Sequence, residues 1–152
     1  SNLHRNKQTP EISNIPAAPG AYLLLIRLDA TIHPAIARFP DAVLTPGWYA
    51  YAGSANGPGG LRARINRHLR KGKSRHWHID HLSEAAAEIL VHHQIGGQEC
   101  ALLREFQSRH DCDVPIPRFG SSDCRNCASH LTRLKSGKRP ATILSERAIF
   151  PV

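Results

Sequence analysis

Long hydrophobic runs are missing from this sequence. No stretch of about 18 consecutive apolar residues occurs in it, so no transmembrane helix is expected. Residues 1–14 are polar and lack the apolar centre that secretory signals have. Both absences predict a cytoplasmic protein that has no membrane partner.

Cysteine is scarce, with four in 152 residues, at Cys100, Cys112, Cys124 and Cys127. In a chain expected to be cytoplasmic, a disulfide framework is not expected. The spacing Cys124-x2-Cys127-x2-His130 could supply three zinc ligands, with Cys100 or Cys112 as a fourth. A structural zinc site usually shows a second ligand pair at a clear distance, and this chain offers only scattered candidates. We therefore expect buried or cleft-lining thiols rather than structural zinc.

Acidic residues are also in short supply. The sequence has 20 Lys and Arg against 12 Asp and Glu, which gives a formal net charge of +8. The basic excess is concentrated in residues 61–75, which contain no acidic residue. Such a patch is typical of proteins that bind nucleic acids. The residues predicted to contact nucleic acid there are Arg62, Arg67, Arg70, Lys71, Lys73 and Arg75.

The apolar pattern predicts three strands and two main helices. Residues 20–28 (GAYLLLIRL) form a continuous apolar run typical of a buried strand, and shorter runs at 48–52 and 88–95 follow. Helical spacing occurs over 61–70 and again over 98–109. The order β-β-α-β-α predicts an α+β domain with a small, mainly antiparallel three-stranded sheet flanked by helices.

The remaining segments are predicted to be connections. Residues 53–60 read as a glycine-rich turn, and HWHIDHL at 76–82 as a short helix or turn. After Asp111 the chain is predicted to be irregular, with a short strand near 142–144. We expect a flexible arm over residues 1–17, where the chain is mostly polar. The length of the rest and the lack of an internal repeat predict one domain over residues 18–152.

Five polar side chains could form a hydrolytic site. Phosphodiester hydrolysis needs a deprotonated nucleophile, charge stabilisation at the phosphoryl oxygens and help for the leaving group. Arg64 offers a permanently charged donor fork suited to phosphate, and His68, four residues on, shares its helix face. Tyr22 and Tyr51 lie on strands that could aim their hydroxyls at a water molecule, although each alone is more typical of a core residue. Glu99 could hold Mg²⁺ together with several waters.

Several motifs occur in a fixed order along the chain. Gly20-Ala21-Tyr22 and Tyr51-Ala52-Gly53 are separated by about thirty residues, and YAGSANGPGGLRARINRHL continues from the second triplet into the basic helix. In this order they resemble the GIY-YIG nuclease superfamily, most of all a little-characterised branch with WHID, Glu-Cys and SDC…SHL segments, which here fall at 76–80, 99–100 and 119–131. The resemblance covers about residues 18–131. It implies a GIY-YIG-like fold and a metal-dependent endonuclease with a role in DNA repair, for which DNA is favoured over RNA as the substrate.

The resemblance also implies roles for the site residues. Tyr22 and Tyr51 would orient or deprotonate the attacking water, Arg64 would bind the phosphate, and His68 would transfer a proton. Glu99 would hold one Mg²⁺ or Mn²⁺ ion. Many members of the superfamily have a tyrosine at the His68 position, so the general base stays open between Tyr22, Tyr51 and His68.

Two further positions stay open. Glu105 lies six residues after Glu99, about 120° away around a helix, so only one of them should face the site. We favour Glu99 because it follows the third strand and belongs to the Glu-Cys pair. Compact members of the superfamily have an asparagine just after this helix, a place that Asp123, Ser129 or His130 could take here.

Two other functions are compatible with the sequence. The resemblance implies that related domains can be attached to repair glycosylases, so the chain could be a non-catalytic nucleic-acid-binding module that acts with a repair protein. Cys124, Cys127 and His130 motivate a zinc-stabilised interaction domain, and metal analysis separates it from the other two hypotheses. The sequence does not indicate an oligomeric state.

Overall fold

A computed structural model describes residues 15–74, 77–119, 129–136, 138–140 and 147–149 of the chain. Its central strand is β1 (Gly20–Leu28), which pairs antiparallel with β2 (Gly47–Ala55) on one side and with β3 (Glu88–Ile95) on the other. Both faces of β1 are covered by other parts of the protein, and this double burial explains its unbroken apolar run. The predicted strands at 20–28 and 88–95 are confirmed with their bounds, whereas β2 is longer than predicted and continues into the glycine-rich segment.

Three shorter strands extend this sheet. They are β4 (Cys112–Asp113), β5 (Leu131–Leu134) and β6 (Arg147–Ile149). The sheet has six strands within the described ranges, in the order β4-β5-β2-β1-β3-β6, and every pairing is antiparallel. The α+β class is confirmed, but the prediction of a three-stranded sheet is wrong. The added strands are too short to show an alternating pattern, so the region after Asp111 read as irregular. The strand predicted near 142–144 lies outside the described residues.

The helices cover the two faces of the sheet. On one face, α1 (Gly60–Leu69) and α2 (Asp80–Ala85) pack over a core that includes Tyr22, Leu24 and Ile26. On the other face, α3 (Glu99–Arg109) packs over the alternate residues of β1. None of the helices that the structure describes is long and apolar enough to span a membrane.

The segment before β1 contacts the start of α1. The backbone N–H of Leu61 donates to the Ala18 carbonyl at 2.9 Å, and that of Arg62 donates to the Pro16 carbonyl at 3.1 Å. These bonds satisfy N–H groups that the first turn of a helix leaves without an intrahelical partner. Ile15 is buried in the core on the same face, so residues 15–17, which the prediction assigned to the arm, contact the domain.

Candidate active site

Tyr22 and Gly53 are direct partners across the two central strands. Direct partners in an antiparallel pair project to the same face of the sheet. A methyl group at Gly53 would overlap the Tyr22 hydroxyl and lie 2.5 Å from the ring carbon Cζ. The absence of a side chain at Gly53 therefore makes the space in which the Tyr22 phenol lies.

The Tyr22 hydroxyl is bonded to His68, which α1 contributes. The phenol oxygen and His68 Nε2 are 2.7 Å apart, and both side chains are buried. Burial raises the pKa of Tyr22 above its ordinary value, as does the neighbouring Tyr51, while Arg64 opposes the increase. Burial lowers the pKa of His68 to about 3. At neutral pH the pair consists of an uncharged phenol and an uncharged imidazole.

The second ring nitrogen of His68 is also buried. Nδ1 forms no hydrogen bond with any residue in the described part of the chain. A neutral imidazole has one N–H donor and one acceptor nitrogen, so either tautomer can satisfy the contact with Tyr22. Buried polar atoms without partners are uncommon in folded proteins, and a catalytic role is one accepted explanation for them.

Tyr51 lies two residues before Gly53 on β2, and its side chain therefore projects to the same face of the sheet. Its ring centroid is 6.4 Å from that of His68, in an edge-on arrangement. Burial raises the pKa of Tyr51, and the nearby Glu99 carboxylate raises it further, whereas Arg64 lowers it. The Tyr51 hydroxyl is therefore a neutral group that lies within the electrostatic reach of Glu99, Asp80 and Arg64.

Arg64 extends from α1 one turn before His68. Its Nη1 donates to the Ser54 carbonyl oxygen at 2.9 Å, and its Cζ lies 4.6 Å from the centre of the Trp77 ring. The carbonyl takes one of the five N–H donors of a guanidinium group. The predicted sharing of one helix face by Arg64 and His68 is thus present in the structure.

Glu99 is the first residue of α3, directly after the turn that follows β3. Its side chain is 25% exposed, and its Oε2 lies 3.8 Å from His130 Nδ1. Glu105 lies on the outer surface with a 51% exposed side chain, and its Oε2 accepts from Arg109 Nη2 at 3.2 Å. The structure places Glu99 beside the tyrosines, and its role as a metal ligand stays a prediction.

These side chains line one cleft of about 120 Å³. All five residues predicted for catalysis belong to its wall, although they come from β1, β2, α1 and α3. The lining residues are Tyr22, Tyr51, Gly53, Ser54, Arg64, His68, Trp77, Glu99 and His130.

Four cleft residues were missing from the predicted catalytic set: Gly53, Ser54, Trp77 and His130. Trp77 was expected in the core; it packs against the core on the α1 face of the sheet and also lines the cleft. His130 was considered as a zinc ligand or as a substitute for the asparagine. Trp77 and His130 belong to the WHID and SDC…SHL segments, and their place in these motifs is the sequence feature that could have predicted a position in the cleft. Ser129, the other described candidate for the asparagine position, donates through Oγ to the Ile116 carbonyl at 2.9 Å, and Asp123 lies outside the described residues.

Three residues of the predicted nucleic-acid-binding patch are partly buried and form hydrogen bonds within the protein. Arg67 donates to both carboxylate oxygens of the buried Asp80, at 2.9 and 3.0 Å. Lys71 Nζ donates to two backbone carbonyls, and Lys73 Nζ pairs with the Glu84 carboxylate at 2.8 Å. The sequence window 61–75 could not reveal these contacts, because the acidic partners follow it in the chain.

The other predicted patch residues differ in their surroundings. Arg62 is exposed, and its Nε donates to the Ile15 carbonyl at 2.7 Å. Arg70 is exposed at the end of α1, and Arg75 lies outside the described residues. Binding of nucleic acid by all six patch residues stays a prediction.

Glu99 determines which metal ions the cleft could hold. It is the one carboxylate among the described residues that line the cleft, where no group of three or more His, Cys, Asp or Glu side chains is arranged around a metal position. A single carboxylate suits Mg²⁺, which keeps several of its waters, and the cleft has room for water beside Glu99. The residues present therefore fit a hydrated Mg²⁺ or Mn²⁺ ion.

The cysteines differ from the prediction. Cys100 is disulfide-bonded, which contradicts the expectation of reduced thiols; the spacing of cysteines along the chain does not reveal their distances in the fold. Cys112 is a half-buried free thiol whose pKa burial raises to about 11. Cys124 and Cys127 lie outside the described residues, and His130 Nε2 lies 3.6 Å from Cys100 Sγ.

Comparison with known proteins gives one family. No curated protein and no solved structure matches the chain significantly. The sequence model of a domain of unknown function, DUF123, matches residues 21–148, which run from β1 into β6 and include every residue that lines the cleft. The chain therefore belongs to the DUF123 family.

Proposed function

We propose that this protein is a metal-dependent endonuclease of the GIY-YIG type that hydrolyses phosphodiester bonds of DNA. The observation that supports the proposal most strongly is the convergence of Tyr22, Tyr51, Arg64, His68 and Glu99 on one cleft. Two phenols, a permanent cation, an imidazole and a carboxylate supply the proton acceptors, charge stabilisation and metal ligand that the reaction needs. The five were predicted from residue chemistry and motif order in the sequence, and unrelated core residues would not be expected to share a cleft.

Tyr22 and His68 form the proposed route for the proton of the attacking water. When the Tyr22 hydroxyl donates to His68 Nε2, the lone pairs of the phenol oxygen remain available to the water. As the water oxygen attacks phosphorus, its proton moves to the phenol oxygen and the phenol proton moves to Nε2. The phenol ends neutral and the imidazole ends protonated. Burial lowers the pKa of His68, and the negative charge of a bound phosphodiester raises it again because that charge stabilises the imidazolium.

Arg64 and Tyr51 are proposed to bind the phosphoryl oxygens. The guanidinium group keeps its charge at every physiological pH and can donate two parallel hydrogen bonds to a phosphate. Tyr51 is a neutral phenol whose raised pKa keeps it protonated, so its hydroxyl can donate one more hydrogen bond. Donors held in place before the reaction stabilise the charge that develops on the oxygens.

Glu99 is proposed to hold the divalent ion at the start of α3. When bound, the ion would neutralise charge on the phosphate and assist the leaving oxygen. Glu99 is partly exposed, so a metal-bound substrate can approach it from the solvent side of the cleft. His130 lies 3.8 Å from the Glu99 carboxylate and can orient it.

The proposed substrate surface is basic and contacts the DNA backbone. Arg62 and Arg70 are the exposed members of the predicted patch among the residues that the structure describes. Contacts with phosphates carry little sequence information, so we expect cleavage that depends on DNA structure more than on base sequence. Binding should weaken steeply as salt concentration rises.

A cleavage assay tests the proposal. Supercoiled plasmid, nicked duplex and branched DNA are incubated with the native protein in Mg²⁺ or Mn²⁺, beside reactions that contain a chelator. Arg64→Ala and Glu99→Ala should abolish cleavage, whereas Glu105→Ala, on the exposed surface of the same helix, should not. If the native protein cuts none of these substrates, or if Glu99→Ala cuts as well as Glu105→Ala, the proposal fails. Salt-sensitive binding without cleavage would favour the non-catalytic module that acts with a repair protein.

A further inference from the structure

Trp77 contacts three side chains of α1 at the cleft. The Cζ atoms of Arg64 and Arg67 lie 4.6 and 4.1 Å from the centre of its ring, and the His68 ring centroid is 5.8 Å away. The indole itself forms part of the cleft wall. The proton and phosphate contacts proposed above do not use Trp77, so its position between catalytic residues needs its own explanation.

One buried carboxylate fixes both Trp77 and Arg67. Asp80 is fully buried and accepts hydrogen bonds from both terminal nitrogens of Arg67, at 2.9 and 3.0 Å. The same carboxylate accepts from the backbone N–H of Trp77 at 2.8 Å. We refer to Trp77, Arg67 and Asp80 as the Trp77 cluster. A buried ion pair with several hydrogen bonds restrains the geometry of its members.

The charges in this cluster explain how two guanidinium groups can contact one indole. Arg64 and Arg67 repel each other as like charges, and the Asp80 carboxylate offsets the charge of Arg67. Arg64 can therefore approach the same ring. A cation–π contact attracts a guanidinium group to an aromatic face without a hydrogen bond. The contact with the Trp77 ring thus restrains Arg64 and occupies none of its N–H donors.

We propose that the Trp77 cluster positions the Arg64 guanidinium for a phosphoryl group of the substrate. This inference rests on the proposed nuclease function. It reassigns Arg67, which the sequence suggested as a DNA contact, to a positioning residue that acts through Trp77. Trp77 and Asp80 are positioning residues as well, because their effect on the reaction passes through Arg64.

A double-mutant cycle measures this dependence. Trp77→Leu keeps an apolar side chain but removes the aromatic face, and we expect it to lower kcat/KM for DNA cleavage roughly 10-fold. Trp77→Phe keeps an aromatic face and should restore most of the loss. In an Arg64→Lys background, which retains charge but not the planar fork, Trp77→Leu should cost much less than in the native protein. Equal losses in both backgrounds would overturn the proposal, because Trp77 would then act independently of Arg64.

A fluorescence measurement tests the cluster without relying on cleavage. The chain has two tryptophans, so Trp48→Phe leaves Trp77 as the only indole emitter. Arg64→Ala in this background should change the emission of Trp77, and a duplex oligonucleotide added in chelator should change it only when Arg64 is present. If the emission of Trp77 is the same with and without Arg64→Ala, the positioning role is overturned even if the protein cuts DNA. If the native protein does not cut DNA while emission responds to both changes, the nuclease proposal fails and the cluster still positions Arg64 for a phosphate.

Discussion

Removing the Tyr22 hydroxyl tests whether its bond to His68 serves the reaction. Tyr22→Phe leaves His68 Nε2 without its partner, on a ring whose Nδ1 already forms no hydrogen bond with the described residues. An unsatisfied buried polar atom costs about 1–3 kcal/mol. For a chain of this length each kcal/mol lowers Tm by about 2–4 °C, so Tm should fall by roughly 2–12 °C and the variant should remain folded at 25 °C.

Tyr49→Phe is the matched control for that change. Tyr49 lies on the same face of β2 as Tyr51, its hydroxyl donates to the Thr45 carbonyl at 2.7 Å, and it is not among the residues that line the cleft. Both variants remove a buried phenol hydroxyl that forms hydrogen bonds within the protein, so both should lose stability of the same order. Only Tyr22→Phe should lose cleavage, by about 100-fold or more, because only its hydroxyl belongs to the proton route.

The assay combines thermal unfolding with single-turnover cleavage of saturating duplex DNA. Thermal unfolding gives the Tm of each variant, and the single-turnover rate reports the chemical step free of differences in affinity. A Tyr22→Phe rate equal to the native rate would refute the proton route. So would an equal loss of rate in Tyr49→Phe, because a general effect of lost stability would then explain both.

The remaining predictions concern backbone space, a buried ion pair and pH. Gly53→Ala pushes a methyl group into the facing phenol and should abolish cleavage, whereas Gly57→Ala meets nothing within 4 Å and should leave the rate unchanged. Asp80→Asn breaks the buried ion pair with Arg67 and should lower the free energy of unfolding by about 3–5 kcal/mol. The control Asp113→Asn breaks the partly exposed ion pair with Arg133 and should lower it by about 0–1 kcal/mol, with both variants measured by urea unfolding. His68 has a pKa of about 3 in the folded protein, below its ordinary value, so the unfolded chain binds a proton first as pH falls. The free energy of unfolding should therefore be highest above about pH 6.5 and decrease by about 1.4 kcal/mol per pH unit below it. Urea midpoints from pH 7 to pH 4 should show a shallower decline in His68→Gln than in the native protein.

The long strands and helices could be predicted from the sequence because their buried faces require an extended pattern of apolar residues. β1 and β3 match their predicted bounds. β1 is covered on both faces and is apolar along most of its length, and in β3 the apolar run at 89–91 marks the buried part of the strand. The short strands β4, β5 and β6 have two to four residues and carry no periodicity, so only tertiary pairing defines them. The edges of the sheet were therefore missed.

The site could be predicted in part because its residues fall in motifs whose order along the chain is recognisable. Tyr22 and Gly53 carry a pairing requirement in their residue types, because the ring needs a position without a side chain across the ladder. The contacts of Trp77 with Arg64 and Arg67 depend on how the segment after α1 folds back, and no residue spacing encodes that approach.

Glu99→Gln tests the nuclease proposal most directly. This substitution keeps the size of the side chain and removes its negative charge, so the variant should bind DNA with nearly native affinity while losing the metal ligand. We measure single-turnover cleavage of saturating branched DNA in Mg²⁺ by the native protein and by Glu99→Gln. We predict that the native protein cuts and that the variant cuts slower by on the order of 100-fold or more. Equal rates for the two proteins, or no cutting by the native protein, would contradict the proposal.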